Sequence, residues 1–136
     1  MNDTHDVAAD TPARIVETFL RALERRDPAA AGFVGPGARI VFPGGHEFRS
    51  LEQLAAWAFT RYRSVRKTLE RIEELPVRGD GITTVYVYGT LAGEWLDGSP
   101  FAGIRFVDRF EIDEHGLIVD QKVWNDLAEA KALLGK

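Results

Sequence analysis

The stretch Ile104-Arg105-Phe106-Val107-Asp108-Arg109-Phe110-Glu111-Ile112 decides how this chain folds. Every second residue from Ile104 is apolar except one: Ile104, Phe106, Asp108, Phe110, Ile112. The intervening Arg105, Val107, Arg109 and Glu111 are mostly charged. Two-residue alternation places the two sets on opposite faces of a β-strand. Asp108 then lies on the buried face, where an ionised carboxylate is costly unless it is paired or hydrogen-bonded. Burial among Ile and Phe raises the pKa of such a carboxyl. In its neutral form it can donate a hydrogen bond to a carbonyl or enolate oxygen. The alternative is a structural Asp, satisfied by a buried backbone N–H, a Tyr hydroxyl or an Arg of a neighbouring strand.

Outward from this strand the chain is β-rich. Strands are predicted at about 67–77, 82–95, 101–112 and 117–125, with turns at Gly79-Asp80-Gly81, Asp97-Gly98-Ser99 and Glu114-His115-Gly116. The first half is mainly helical. Thr11-Pro12 opens a helix whose apolar stripe is Ile15, Val16, Phe19, Leu20 and Leu23, ending near Arg26. A short helix over 28–34, a strand over 38–42 and a turn at Pro43-Gly44-Gly45 follow. Ser50 caps a third helix, from Leu51 to about Val65, with Arg61, Arg63, Arg66 and Lys67 near its end, where they suit the helix dipole. A final helix covers 127–134. Asp126, with Glu129 three residues on, reads as its N-cap. Residues 1–10 read as a flexible tail and 11–136 as one domain.

Composition narrows the function classes. The 136 residues are 45% hydrophobic and 28% charged, enough for one core and a modest pocket. A net charge of −4 argues against nucleic acid as a partner. No apolar run approaches the roughly 20 residues of a membrane span, and no signal-like stretch opens the chain. A cytoplasmic protein without membrane contact is expected. With no cysteine, thiol chemistry is excluded, and His5, His46 and His115 lack metal-ligand spacing. No metal and no cofactor are expected.

Helices followed by an antiparallel meander make an α+β layout, with a curved antiparallel sheet wrapped around the N-terminal helices. This order, with Val107-Asp108-Arg109-Phe110-Glu111-Ile112-Asp113-Glu114-His115-Gly116, resembles the nuclear-transport-factor-two-like (NTF2-like) superfamily. Its members include ketosteroid isomerases, SnoaL-like polyketide cyclases and limonene-epoxide hydrolases. The resemblance implies a cone with an internal pocket and a homodimer. It implies for Asp108 the role of the protonated, hydrogen-bond-donating acid of the ketosteroid isomerase oxyanion hole. Two isomerase partners are replaced: Phe42, before Pro43, stands where the general-base Asp falls, and Phe19 where the oxyanion-hole Tyr falls. Classical steroid isomerase activity is therefore not expected. The charged groups of the epoxide hydrolases fall near Tyr88, Thr90 and Val123. SnoaL-like cyclases carry His or Asp at the position of Asp108.

Further candidates depend on register. A two-residue loop at Asp97-Gly98 puts Val87 opposite Asp108; a three-residue loop at 97–99 puts Tyr88 there. The resemblance favours the second, which makes Tyr88 an auxiliary donor and puts Tyr86 on the pocket face. His46, near the cone's mouth, is a candidate acid/base, set against a solvated loop histidine. The pocket wall is expected from Phe19, Phe42, Trp57, Val119, Gln121, Val123 and Asn125. Trp124, on the opposite face of its strand, reads as an aromatic anchor for a homodimer. The expected activity is that of a cofactor-independent isomerase, cyclase or dehydratase acting on a small apolar carbonyl compound. A non-catalytic module binding a small hydrophobic ligand is the alternative, and a cone filled by its own side chains is the third reading.

Overall fold

The computed structural model describes residues 10–134, so the tail expected over 1–10 lies outside the described residues apart from Asp10. Helix α1 is Pro12–Glu24. The Thr11 hydroxyl accepts the Arg14 N–H at 3.2 Å, and Pro12 occupies the first turn, where no N–H is needed. The helix closes in a Schellman arrangement, with Asp27 N–H donating to the Ala22 carbonyl and Arg26 N–H to that of Leu23. Arg26 takes the left-handed conformation, φ 56°, that glycine usually supplies. Asp27 then caps a 3-10 turn, Pro28–Phe33, by accepting the Ala29 N–H at 2.9 Å.

Strand β1 is Val34–Phe42 and β2 is His46–Phe48. Helix α2 runs only over Leu51–Ala58, and not to Val65. Ser50 caps it, and the Gln53 side chain reaches back to the Arg49 N–H. The residues given to its second half belong instead to β3, Tyr62–Glu74. There Val65, Lys67 and Leu69 alternate, and pairing with a long neighbour outweighs local helix preference. Strands β4 (Thr83–Trp95), β5 (Pro100–Ile112) and β6 (Ile118–Asn125) and helix α3 (Leu127–Leu134) complete the chain.

The strands form one six-stranded sheet in the order β2-β1-β6-β5-β4-β3. It is mixed rather than wholly antiparallel, because β1 and β6 run parallel. One face carries the core: Val85, Val87, Leu91, Phe106, Phe110 and Ile112 pack with Val16, Phe19 and Leu20 of α1. Phe19 meets Phe110 edge to face, with ring centroids 6.0 Å apart. A second cluster, Ile40, Phe48 and Leu54, joins α2 to β1 and β2, with Phe42 and Trp57 against it.

The β4–β5 register settles the two-or-three-residue question by a third route. Around the turn, Trp95 N–H donates to the Ser99 carbonyl and Gly98 N–H to that of Trp95, with Gly98 at φ 87°. Continued unchanged, this pairing brings Tyr86 opposite Asp108. A bulge intervenes: Gly93 pairs with Phe101 but Leu91 with Ile104, so Ala102 and Gly103 oppose Ala92 alone. Gly103, at φ 71°, supplies the backbone conformation the extra residue needs. Beyond it Val87, not Tyr88, faces Asp108. The valines thus occupy the core face, and Tyr86 and Tyr88 the opposite one. A similar irregularity in β6 pairs Ile112 with Ile118 and Glu111 with Asp120, leaving Val119 outside the ladder.

Candidate functional site

Asp108 is fully buried, with Val87 on one side and Val123 on the other. Its partner is Lys67, whose Nζ donates to Oδ2 at 2.7 Å. Lys67 pairs with Leu91, and on this face of the sheet the one row between Leu91–Ile104 and Val87–Asp108 is Gly89 opposite Phe106. Gly89 leaves β4 without a side chain there, and a Cβ at this position would collide with the Thr68 carbonyl oxygen. The lysine crosses this gap over Phe106, its Nζ 4.8 Å from the ring centroid.

Helix α1 fixes the lysine's backbone. Glu24 accepts the Lys67 N–H at 2.6 Å, and Arg21 donates to the Lys67 carbonyl at 2.9 Å. Arg21 also holds Glu24, at 3.2 Å. The free edge of β3 is thereby clamped at the residue that carries the ammonium group.

Removing a carboxylate from water costs several kcal/mol, and one ion pair offsets this only with good geometry and further hydrogen bonds. Here the compensation is partial. Asp108 Oδ1 is buried without a hydrogen-bond partner among the described residues, as is Gln121 Oε1. Burial accordingly pushes the Asp108 carboxyl above its ordinary 3.8, against the charge and hydrogen bond of Lys67 and a smaller contribution from the Gln121 side chain.

Lys67, with its side chain 16% exposed, forms part of the wall of a cavity of about 480 Å³. Its apolar walls include Leu20 and Leu23 of α1, Leu54 and Ala58 of α2, and Leu91 and Val123 of the sheet, and Glu24, Arg26, Asp27 and Glu52 also border it. Tyr62 also contributes, and burial pushes its phenol up. A smaller recess of about 250 Å³ lies against Pro43, Gly44, His46, Trp57 and Arg61. The two spaces share Phe42, Tyr62, Asn125 and Leu127.

The residues singled out in the sequence are dispersed by this geometry. Phe42, Val123 and Asn125 line the larger cavity, and Trp57 and His46 the smaller one. Gln121 is buried, two residues from Val123. Phe19 is a correction, because it is enclosed in the core against Phe33 and Phe110 rather than set in a cavity wall. Val119 is another: it lines neither of these two spaces and lies in the unpaired step between Ile118 and Asp120. Tyr88 faces Val107 and Arg71 on the outer side of the sheet, and Tyr86 faces Arg109, whose Nε donates to its hydroxyl at 3.3 Å. Asp108, Tyr88 and His46 are therefore not brought together as one catalytic group. Asp126 does not cap α3 through its side chain: its carboxylate takes Arg105 at 2.6 Å, and Asn125 accepts the Leu127 N–H instead. Sequence alone does not single out Lys67, Arg21 and Glu24 as site residues. The available signal was Lys67 at an apolar position of the Val65-Lys67-Leu69 alternation.

Among the described residues no helix is long and apolar enough to cross a membrane. No protein-family model and no curated protein matches the chain. Solved structures do. An NTF2-like protein of unknown function from Burkholderia pseudomallei superposes with TM-score 0.73 at 19% identity, over 89% of this chain and 95% of that one. TerC, crystallised with polyporic acid, gives 0.73 at 18%, over 93% and 100%. A SnoaL-like polyketide cyclase from Jannaschia sp. gives 0.67 at 18%, over 88% of each. Helices α1 and α2 on one face of a curved mixed sheet, over nearly the whole chain, are the NTF2-like cone fold, and that fold is what this protein has.

Proposed function

We propose that this protein is a cofactor-independent enzyme acting on a small, mainly apolar carbonyl compound, by isomerisation, cyclisation or dehydration. One observation carries the reading: a mainly apolar cavity of about 480 Å³ has at its wall Lys67, which is ion-paired to the buried Asp108 behind it. In this reading the Lys67 ammonium donates to the ligand's carbonyl oxygen, polarises that carbonyl and stabilises negative charge that develops on the oxygen. Asp108 acts through Lys67, holding Nζ in place, and does not itself donate to the ligand. Its own carboxyl is the group expected to donate from sequence; the intervening lysine motivates the change.

The test is a fluorescence titration with 2-naphthol, a mimic of a bound enolate, on wild type, Lys67→Met and Asp108→Leu. Binding that weakens at least tenfold in both variants supports the reading; equal binding by all three removes it. Deuterium exchange at the α-carbon of cyclic ketones, followed by NMR, then separates enzyme from binding module. The alternative module binds without exchange, and Phe19 and Phe42 in place of the isomerase's Tyr and Asp favour it. A cytoplasmic location and a homodimer through the outer sheet face around Trp124 belong to the same proposal. Cell fractionation tests the first, and sedimentation velocity the second.

A further inference from the structure

We infer that the recess beside the main cavity, formed by His46, Trp57, Arg61 and Asn125, binds the carboxylate of a ligand whose apolar body fills the larger space. This rests on the main cavity being the ligand site and adds a substrate class to it: apolar acids.

The recess is basic in a chain of net charge −4, and no carboxylate lines it. Arg61 is the key residue. Among the described residues its guanidinium has neither an ion pair nor a side-chain hydrogen bond, whereas most other arginines are paired with carboxylates or backbone carbonyls. Arg66 also lacks such a partner, but it is exposed along β3. The Arg61 guanidinium lies over Trp57, 4.8 Å from the ring centroid. A guanidinium held over a ring in this way still has N–H groups free of protein partners among the described residues, the donors that suit a carboxylate.

Two further donors adjoin it. The His46 ring is 5.0 Å from that of Trp57 and rests against Gly44, where a Cβ would stand 3.3 Å from His46 Cδ2. Asn125 accepts the Leu127 N–H at 3.1 Å with its Oδ1, which directs the amide nitrogen to other partners. Because Phe42, Tyr62, Asn125 and Leu127 border both spaces, one molecule can occupy them together.

The test compares 1-naphthylacetate with the uncharged 1-naphthylacetamide, by naphthyl fluorescence, on wild type, Arg61→Met and Lys67→Met. Wild type is expected to bind the acid about tenfold more tightly, a difference that one charge-assisted hydrogen bond supplies. Arg61→Met should lose that preference while binding the amide as wild type does, and Lys67→Met should keep it. If Arg61→Met does not fold, Arg61→Gln takes its place. Equal affinity for the two probes overturns the inference and leaves the main cavity intact as a ligand site. So does a preference that survives at residue 61 or disappears only with Lys67. Binding of neither probe overturns both this inference and the reading of the cavity beneath it.

Discussion

Lys67 Nζ lies 2.7 Å from Asp108 Oδ2, and the carboxylate it holds has no exposed side-chain surface. The pair links the edge strand β3 to the central strand β5 across β4. It joins two residues that are 41 apart in sequence.

Its energetic signature is coupling. Lys67→Met strands a buried carboxylate and is expected to lower stability by about 3 kcal/mol, whereas Lys67→Met with Asp108→Leu recovers most of that loss. Urea unfolding of the two singles and the double measures it. Singles and double that simply add would mean that the pair does not couple.

The pH dependence of Asp108 has a defined sign. With its folded pKa above 3.8, the folded state holds more of this proton than the unfolded chain between 3.8 and the folded value. Stability from this group therefore rises as pH falls through that window, and is constant above it. Asp27, Asp80 and Asp97 behave oppositely. The Ala29 N–H, the Arg78 guanidinium and the Ser99 hydroxyl, respectively, hold their carboxyls low, and that stability is lost in acid. Subtracting Asp108→Asn from wild type in urea midpoints over a pH series isolates Asp108. The difference should grow in favour of wild type on acidification from neutrality, and a difference that shrinks contradicts the assignment.

Gly103 carries the register. No heavy atom lies within 4 Å of a Cβ built there, so Gly103→Val is penalised only by its φ of 71°, at about 1–2 kcal/mol. Gly103→Asn should cost clearly less, since Asn tolerates the left-handed region. Thermal or urea unfolding of both variants decides this; equal losses would point to something other than backbone conformation.

On the outer face, Tyr88, Val107 and Trp124 form one cross-strand row, with Trp124 51% and Val107 37% exposed. The homodimer proposal expects sedimentation velocity to give a dimer for wild type and a monomer for Trp124→Glu. A wild type that is monomeric at every concentration removes it.

Much of the fold was legible in the residues. Thr11-Pro12 and Ser50 start helices because caps are local hydrogen bonds, and local hydrogen bonds are legible in sequence. The alternation around Asp108 identified its buried face because a strand has a two-residue period. Leu51–Val65 has no local stop, so its sequence reads as one long helix, and only pairing with β4 converts Tyr62 onward to strand. Lys67 is concealed by the same ambiguity. With Val65 and Leu69 read as strand, it is a lysine on an apolar face, the natural partner for a buried Asp.

By itself the sequence determined the order of the elements other than β2, most of their starting points and the burial of Asp108, since each rests on contacts within a few residues or on strand periodicity. Tertiary structure alone decided which cation meets that carboxylate, which face Tyr88 takes and which walls enclose the cavity. These depend on register summed across three strands, where a single extra residue at Gly103 turns every side chain beyond it to the other face.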